Sequence, residues 1–547
     1  MERNCSKLQD HLFDLLIIGG GIHGAAAARK LSASGYDVAL VEKGDFCQAT
    51  SANSLKILHG GLRYLQHADF KRMRESIRCR REFMQLAPHL VQPLACLMPT
   101  KGFGLHGKMV MGAALLLNDL ISFDRNKGLS SEKRLGRGRI ISRQEGEKLI
   151  PGLNDPAITG AALWYDALLL NTERMVMLLL HLAVDHGAVL ANYVQVDGVT
   201  YGDDEQEVRV SDQLREESFT IKSRMVINCA GPWLDEEIAA AGPVENRTAL
   251  AKAVNLIVDR NLFGDYAVGI EGVGEYNDKD AVLKRGKRLF FFVPWRGKTM
   301  IGTTYRPCLL SDEALHIGQE DIGQMVKEVN QIYPAAKLEE REVVFSHVGL
   351  VPACATEDGT DTDPVLLKHS EIIDHQQQGG PAGLLSIRGV KYTTAPQVAR
   401  NLEALLQKRG FLPTARMSKT DRHSVREAFD SREVAERFPH VQDQYGEQAA
   451  AVYQIMAEEP DSQTLVSTKP PLSRAEILYA VRGEMACHLS DMVLRRSELG
   501  SCGRPGDSIL ESIAGIMAQE LKWSDEQRRQ ELRMVRKMYA RMKVALS

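Results

Sequence analysis

A glycine-rich turn between a strand and a helix constrains this chain more than any other feature. Phe13 to Ile18 reads as a short buried strand that runs directly into Gly19-Gly20-Gly21-Ile22-His23-Gly24, and the helix-prone Ala25-Ala26-Ala27-Ala28-Arg29-Lys30-Leu31 comes next. Gly19 permits the tight turn, Gly21 lets the backbone approach a pyrophosphate, and Gly24 lets helix and strand pack closely. The helix start at Ile22 and His23 then turns its unsatisfied amides and positive dipole end toward the phosphates. A second strand, Val38 to Val41, ends at Glu42, 18 residues beyond Gly24, with Lys43 after it; a carboxylate there accepts hydrogen bonds from the adenosine ribose. This is a dinucleotide-binding entry, and by itself it leaves FAD and NAD unseparated.

The next stretch separates them. Ala49-Thr50-Ser51-Ala52-Asn53-Ser54-Leu55-Lys56-Ile57-Leu58-His59-Gly60-Gly61-Leu62-Arg63-Tyr64 is polar and Gly-rich where a plain NAD domain would continue with strands and helices. Here the chain resembles the FAD-dependent glycerol-3-phosphate dehydrogenase family, within the larger group that includes the D-amino-acid oxidases. The resemblance implies FAD contacts from Thr50, Ser51, Ser54 and Leu58, a His59-Gly60 run against the isoalloxazine, and Arg63 and Tyr64 reaching the substrate. Without the family, His59 reads as an ordinary structural histidine and Arg63 as a surface charge.

Later segments extend the likeness. Met225 to Trp233 resembles the family's second FAD-side strand, passing the cofactor at Ala230-Gly231. Leu384 to Thr394 resembles its third, with Gly389, Lys391, Tyr392 and Thr393 at the flavin's pyrimidine edge and the Lys391 cation placed to stabilise negative charge that reduction brings to the ring. Asn171-Thr172-Glu173 caps a helix expected to run to about His186, and Ala188 to Tyr193 returns as a strand. Leu289 to Trp295 and Met300 to Thr304 resemble strands of an antiparallel substrate sheet, joined by a hairpin at Arg296-Gly297-Lys298.

The expected fold is therefore α/β: a discontinuous Rossmann-like FAD domain of the D-amino-acid oxidase type (10–95, 150–250 and 345–408), an antiparallel-sheet substrate domain (96–149 and 251–344) and a helical C-terminal domain (409–547) that carries Arg495-Arg496.

On the substrate side the chain departs from the family. The arginine of the family run Ser-Gly-Val-Arg-Pro is replaced by Val351 in Val348-Gly349-Leu350-Val351-Pro352. Asn255 stands where relatives carry a histidine, and Tyr305 where they carry an aspartate. Arg388, Lys368 and Arg306 are the cations the sequence offers in exchange. His59, Arg63 and Lys391 are the expected catalytic residues, with His347 a second candidate base; Arg63, Tyr64, Asn255, Arg388 and Lys391 are the expected substrate contacts.

The expected chemistry is hydride transfer to FAD from the secondary alcohol of glycerol 3-phosphate or a related phosphorylated polyol, with electrons passed to quinone. An oxygen-using oxidase of an anionic amine or hydroxy acid, and a non-catalytic flavin-binding protein, stay open. No cysteine-histidine cluster has metal-ligand spacing, and the nine scattered cysteines read as reduced thiols of a cytoplasmic protein. The net charge of −3 offers no field for nucleic acid. Met1 to Leu12 fits neither a signal nor a transit peptide. The apolar stretch Met109 to Leu117 is too short to span a bilayer, which takes roughly 20 residues. It is expected to be a core helix, the alternative being a helix lying on the inner face of the cytoplasmic membrane. A homodimer is a further expectation drawn from the resemblance.

Overall fold

The computed structural model describes residues 1–541 except 10, 105–106, 153–154, 240–247, 278–284, 312, 355–363 and 415–431. Five parallel strands form the heart of the first sheet, in the spatial order Leu384–Arg388, Glu217–Asn228, Leu12–Ile18, Val38–Glu42 and Val189–Asn192. Four are near-continuous runs of buried apolar residues, and Glu217–Asn228 becomes one at Met225, as strands covered on both faces require. The helix Ile22–Ala33 lies between Thr172–Asp185 and Ala395–Lys408 on one face, and its alanines admit that close packing. Asn171 caps its helix as expected, its side-chain oxygen accepting the Arg174 amide at 2.9 Å.

The second sheet runs Val343–Ala353, Ala249–Val258, Lys298–Cys308, Arg285–Trp295, Tyr266–Asn277, Val91–Lys101, Ile158–Leu169 and Ile57–Leu58. Its pairs are antiparallel apart from Tyr266–Asn277 beside Val91–Lys101, which is parallel. The expected hairpin is present: Trp295 pairs with Lys298 across Arg296 (φ 51°) and Gly297 (φ 72°), the two positive values a two-residue turn needs to match the strand twist. Ile158–Leu169 and Val343–Ala353 are strands of this sheet, whereas the boundaries read at 150 and 345 place them with the FAD domain. Long antiparallel registers with Val91–Lys101 and Ala249–Val258 hold them there.

The helical C-terminal part packs Leu478, Met492, Leu510 and Met517 against Trp295, Met300 and Phe345 of the second sheet. It reaches the first sheet through a buried ion network. Arg496 holds both oxygens of Asp45 at 2.8 Å, and Arg495 adds a further bond to Asp45 and one to Asp491 at 2.6 Å. Arg174 binds Glu484 at 2.6 Å, and all six side chains are buried. Burial alone would raise the Asp45 carboxyl, but the guanidiniums of Arg496 and Arg495 outweigh it and hold the group below the ordinary carboxylate range.

The apolar helix Lys108–Ile121 departs from its expected role. Met111 and Leu115 face inward, while Met109, Leu116, Leu120 and the adjoining Phe123 stand 84%, 65%, 63% and 79% exposed. These four lie three, four or seven residues apart, so they form one outward stripe. The helix is thus an apolar surface ridge rather than a core element.

Removing one member of a buried ion set strands its partners without counter-charge, at a cost of about 3–5 kcal/mol. Asp45→Asn is therefore expected to lower thermal stability sharply, and a melting temperature within a degree of wild type would contradict the linking role of the network. Because Asp45 and Glu484 are depressed in the folded chain, their contribution is present above about pH 4 and is lost as pH falls through the folded values. The difference in melting temperature between wild type and Asp45→Asn should accordingly shrink as the pH is lowered below about 4.

Candidate functional site

Strand register brings the three expected cofactor segments to one edge. Ile18 lies opposite both Val41 and Asn228, and Asn228 opposite Ser386, so Gly19, Glu42, Ala230 and Gly389 all sit at the carboxyl ends of adjacent parallel strands. That edge is where open α/β sheets bind dinucleotides.

A side chain at Gly19 (φ 106°) would place its Cβ 2.6 Å from the Cys229 carbonyl oxygen, and one at Gly24 would collide with the Gly19 carbonyl. Only hydrogen fits at either position. Beside Gly21 stands Ser51, whose Oγ accepts the Ile22 amide at 3.0 Å. Glu42 accepts the Gly20 and Gly44 amides at 2.8 and 2.9 Å; a carboxylate offers about four lone-pair sites, so capacity for ribose hydroxyls remains. Burial raises its carboxyl above the ordinary value against those two bonds. Lys43 lies over the Trp233 ring at 4.0 Å, just past Ala230 and Gly231.

His23 packs its ring onto Gly389, joining the first glycine turn to the third cofactor segment, and its Nδ1 is buried with no partner among the described residues. Burial pushes the imidazole down to about 4, so it is neutral at physiological pH. Glycine positions that exclude a Cβ, a spare-capacity carboxylate and an orphaned ring nitrogen along one edge fit an FAD dinucleotide.

The Thr50–Leu58 segment is pinned from several sides. Thr50 Oγ1 donates to the Leu350 carbonyl at 2.9 Å and accepts its amide at 3.1 Å. Ser54 Oγ accepts the Lys56 amide, and Leu58 is buried in a short strand pairing with Ala167. Lys56, which drew no attention in the sequence, is wholly enclosed and bonds Thr172 Oγ1 at 2.8 Å. On the third segment Tyr392 donates to the Thr172 carbonyl at 2.8 Å, and Thr393 lies in the turn that opens the Ala395–Lys408 helix.

Asp166 is the centre that sequence reasoning missed. It accepts from His59 Nδ1 at 3.3 Å, the Gly60 amide at 2.6 Å, Trp164 Nε1 at 3.3 Å and the Arg80 guanidinium. Burial alone would raise its carboxyl; the His59 bond, the Arg80 charge and the Gly60 amide overcome it and hold the group at about 2. The usable signal was a lone carboxylate in the apolar strand Ile158–Leu169. The His59 side chain is about half exposed, at 49%, so the rest of its ring is open.

Beyond Gly60 in the same segment, the Tyr64 hydroxyl meets Lys391 Nζ, which lies 4.3 Å from the Tyr64 ring centre, and two expected substrate residues are thereby united. The Arg63 side chain lies outside the described residues; its backbone is in the 3-10 turn Leu62–His67.

Other expected substrate residues are engaged elsewhere. Asn255 is 2% exposed, accepting from Thr303 Oγ1 at 2.6 Å and donating to the Asn53 carbonyl. Arg388 pairs with Glu371 at 2.9 Å across adjacent antiparallel strands. His347 is enclosed, its Nδ1 bonded to the Ser54 carbonyl and its ring set edge-on to Trp295 and Phe345. Burial, then the nearby Lys56 charge, holds it well below the usual histidine value, so it braces the cofactor segment as a neutral ring.

Comparison with known proteins supports the fold and the cofactor. The family described as FAD dependent oxidoreductase matches residues 14–402, and the C-terminal domain of alpha-glycerophosphate oxidase matches residues 412–528. Glycerol-3-phosphate dehydrogenase of Synechocystis is 29% identical over 553 aligned positions, 96% of each chain. Aerobic glycerol-3-phosphate dehydrogenase of Staphylococcus aureus is 30% identical over 406, covering 74% of this chain and 68% of that one. The X-ray structure of glycerol-3-phosphate dehydrogenase from Bacillus halodurans complexed with FAD shares the fold at a TM-score of 0.71, with 21% identity over 99% of this chain and 97% of that one. The chain belongs to the FAD-dependent oxidoreductase family, in its glycerol-3-phosphate dehydrogenase branch.

Proposed function

We propose that this chain oxidises the secondary alcohol of glycerol 3-phosphate and passes the electrons to quinone at a membrane surface. When bound, FAD supplies the two-electron redox chemistry. The observation that carries the site assignment is one short segment, His59 to Tyr64, with a proton acceptor at one end and an anion-binding pair at the other.

Asp166 fixes the imidazole: with Nδ1–H donated to the carboxylate, Nε2 keeps its lone pair for the substrate hydroxyl proton. The same carboxylate stabilises the imidazolium that results, and the Arg80 charge keeps it ionised throughout. Tyr64 and Lys391 hold the substrate's anionic end, with Arg63 beside them in sequence. Asn255 acts through Thr303 and Asn53, ordering the strands around the pocket.

The outward stripe of the Lys108–Ile121 helix supports peripheral membrane contact. The exposed cations Lys108, Lys127, Arg134 and Arg137 flank these apolar residues in sequence, a combination suited to an anionic lipid surface. Among the described residues no helix is long and apolar enough to cross a membrane.

His59→Ala is expected to lower kcat with glycerol 3-phosphate about 100-fold or more with FAD retained, in line with the usual worth of a general base. An unchanged kcat would move the base elsewhere. Reduction of a soluble quinone analogue without matching hydrogen peroxide release separates the dehydrogenase from an oxygen-using oxidase; stoichiometric peroxide would contradict the quinone assignment. Leu116→Asp combined with Leu120→Asp should abolish sedimentation with phosphatidylglycerol vesicles while leaving turnover with a soluble acceptor intact. Sedimentation equal to wild type would rule the stripe out as the contact.

A further inference from the structure

The family arginine replaced by Val351 leaves the substrate's anionic end short of a cation, and two substitutes that the sequence offers are committed. Arg388 is paired with Glu371 at 2.9 Å, and Arg306 with Asp321 at 2.8 Å. We infer that Arg72, absent from the sequence-based site, supplies the missing charge: together with Lys391 it forms a two-cation clamp on the Tyr64 ring that binds the phosphate of the substrate. This rests on the phosphorylated-alcohol reading above.

The Arg72 guanidinium carbon lies 4.9 Å from the Tyr64 ring centre and Lys391 Nζ lies 4.3 Å from it, so two cations meet on one phenol ring that is itself buried. Like charges gathered on one ring repel, and a dianion between them relieves the repulsion. Asp69 is the acid on this helix end that contacts Arg72, at 3.1 Å. It also caps the helix Phe70–Leu86 by accepting the Arg72 amide at 2.9 Å, so its charge is shared between backbone and side chain.

Among the described residues the hydrogen-bonding contacts of the Arg72 guanidinium fall on a single terminal nitrogen, Nη2, which meets Asp69 and the His369 ring, closest at Nε2 and with Nδ1 3.2 Å away. Its Nε is buried with no acceptor among the described residues. A guanidinium carries five donors in a planar fork suited to phosphate, so Arg72 keeps most of its capacity for an anion.

His369 explains how the donors are covered meanwhile. The imidazole is exposed, and it accepts from Arg72 where a phosphate oxygen would. Partial desolvation of this largely exposed ring, then the Arg72 charge, with Lys391 adding to it and Asp69 and Glu75 opposing, lowers its basicity. It therefore accepts as a neutral ring and can turn out to solvent when a stronger acceptor arrives.

The test measures steady-state kinetics and inorganic phosphate inhibition on the FAD-loaded full chain. Arg72→Gln should raise KM for glycerol 3-phosphate about 10- to 100-fold, the loss of one or two charge-assisted bonds, with kcat within threefold of wild type. Its competitive inhibition constant for inorganic phosphate should rise in parallel, and Arg72→Lys should fall between. Flavin content and melting temperature confirm that each variant folds; should Arg72→Gln fail to load FAD, Arg72→Lys carries the comparison alone. KM and the phosphate constant both within twofold of wild type would overturn the clamp. A wild-type protein that binds phosphate, seen as a flavin spectral shift weakened in Arg72→Gln, yet oxidises no phosphorylated alcohol would leave the clamp standing and sink the functional reading instead.

Discussion

The register of five parallel strands is the constraint on which the rest of the structure depends. Ile18, Val41, Asn228 and Ser386 lie level across the sheet, so the chain leaves each of these strands at one common edge. Gly19, Glu42, Ala230 and Gly389 occupy those exits. Segments more than 300 residues apart in the chain thereby become neighbours, as the contact between His23 and Gly389 shows. A one-residue slip in any strand would carry its exit residue out of line with the others and disturb packing on both covered faces, so the core that selects the register also fixes the cofactor edge.

From that edge the site is built outward by partnered, buried polar groups. Asp166 joins the His59-Gly60 turn to the helix of Arg80, and Lys56 joins the preceding segment to Thr172. The Asp45 network ties the helical C-terminal part to the loop just beyond Glu42. Unpaired, these charges would be costly; paired, they select one arrangement of three layers that apolar packing alone would leave free to slide. The proposed catalysis uses the same property, because an imidazole held by a buried carboxylate would lose little order on accepting a proton.

The features legible in the sequence were local. The glycine turn, the strand ending at Glu42, the Asn171 cap and the Arg296-Gly297 hairpin each depend on residues within a few positions of one another, where backbone sterics set the outcome. Asp166, Arg72 and the Asp45 pairing with Arg495-Arg496 depend on contacts across tens to hundreds of residues, and no spacing rule reports those. The Lys108–Ile121 helix shows a further limit. Its apolar residues cover both sides, and periodicity identifies a helix without saying which side the protein covers. The substrate side was hardest to read because replaced family residues left cations whose engagement only geometry reveals: Arg388 is held by a neighbouring strand, while Arg72 is turned toward Tyr64.

In the proposed reaction a flavin on this edge takes electrons from a phosphorylated alcohol seated between His59 and Lys391. The decisive measurement is anaerobic mixing of the FAD-loaded protein with glycerol 3-phosphate, monitored at the oxidised-flavin absorbance band. Bleaching within a single turnover is the expected result; a band left unchanged by glycerol 3-phosphate and by other phosphorylated polyols would contradict the claim.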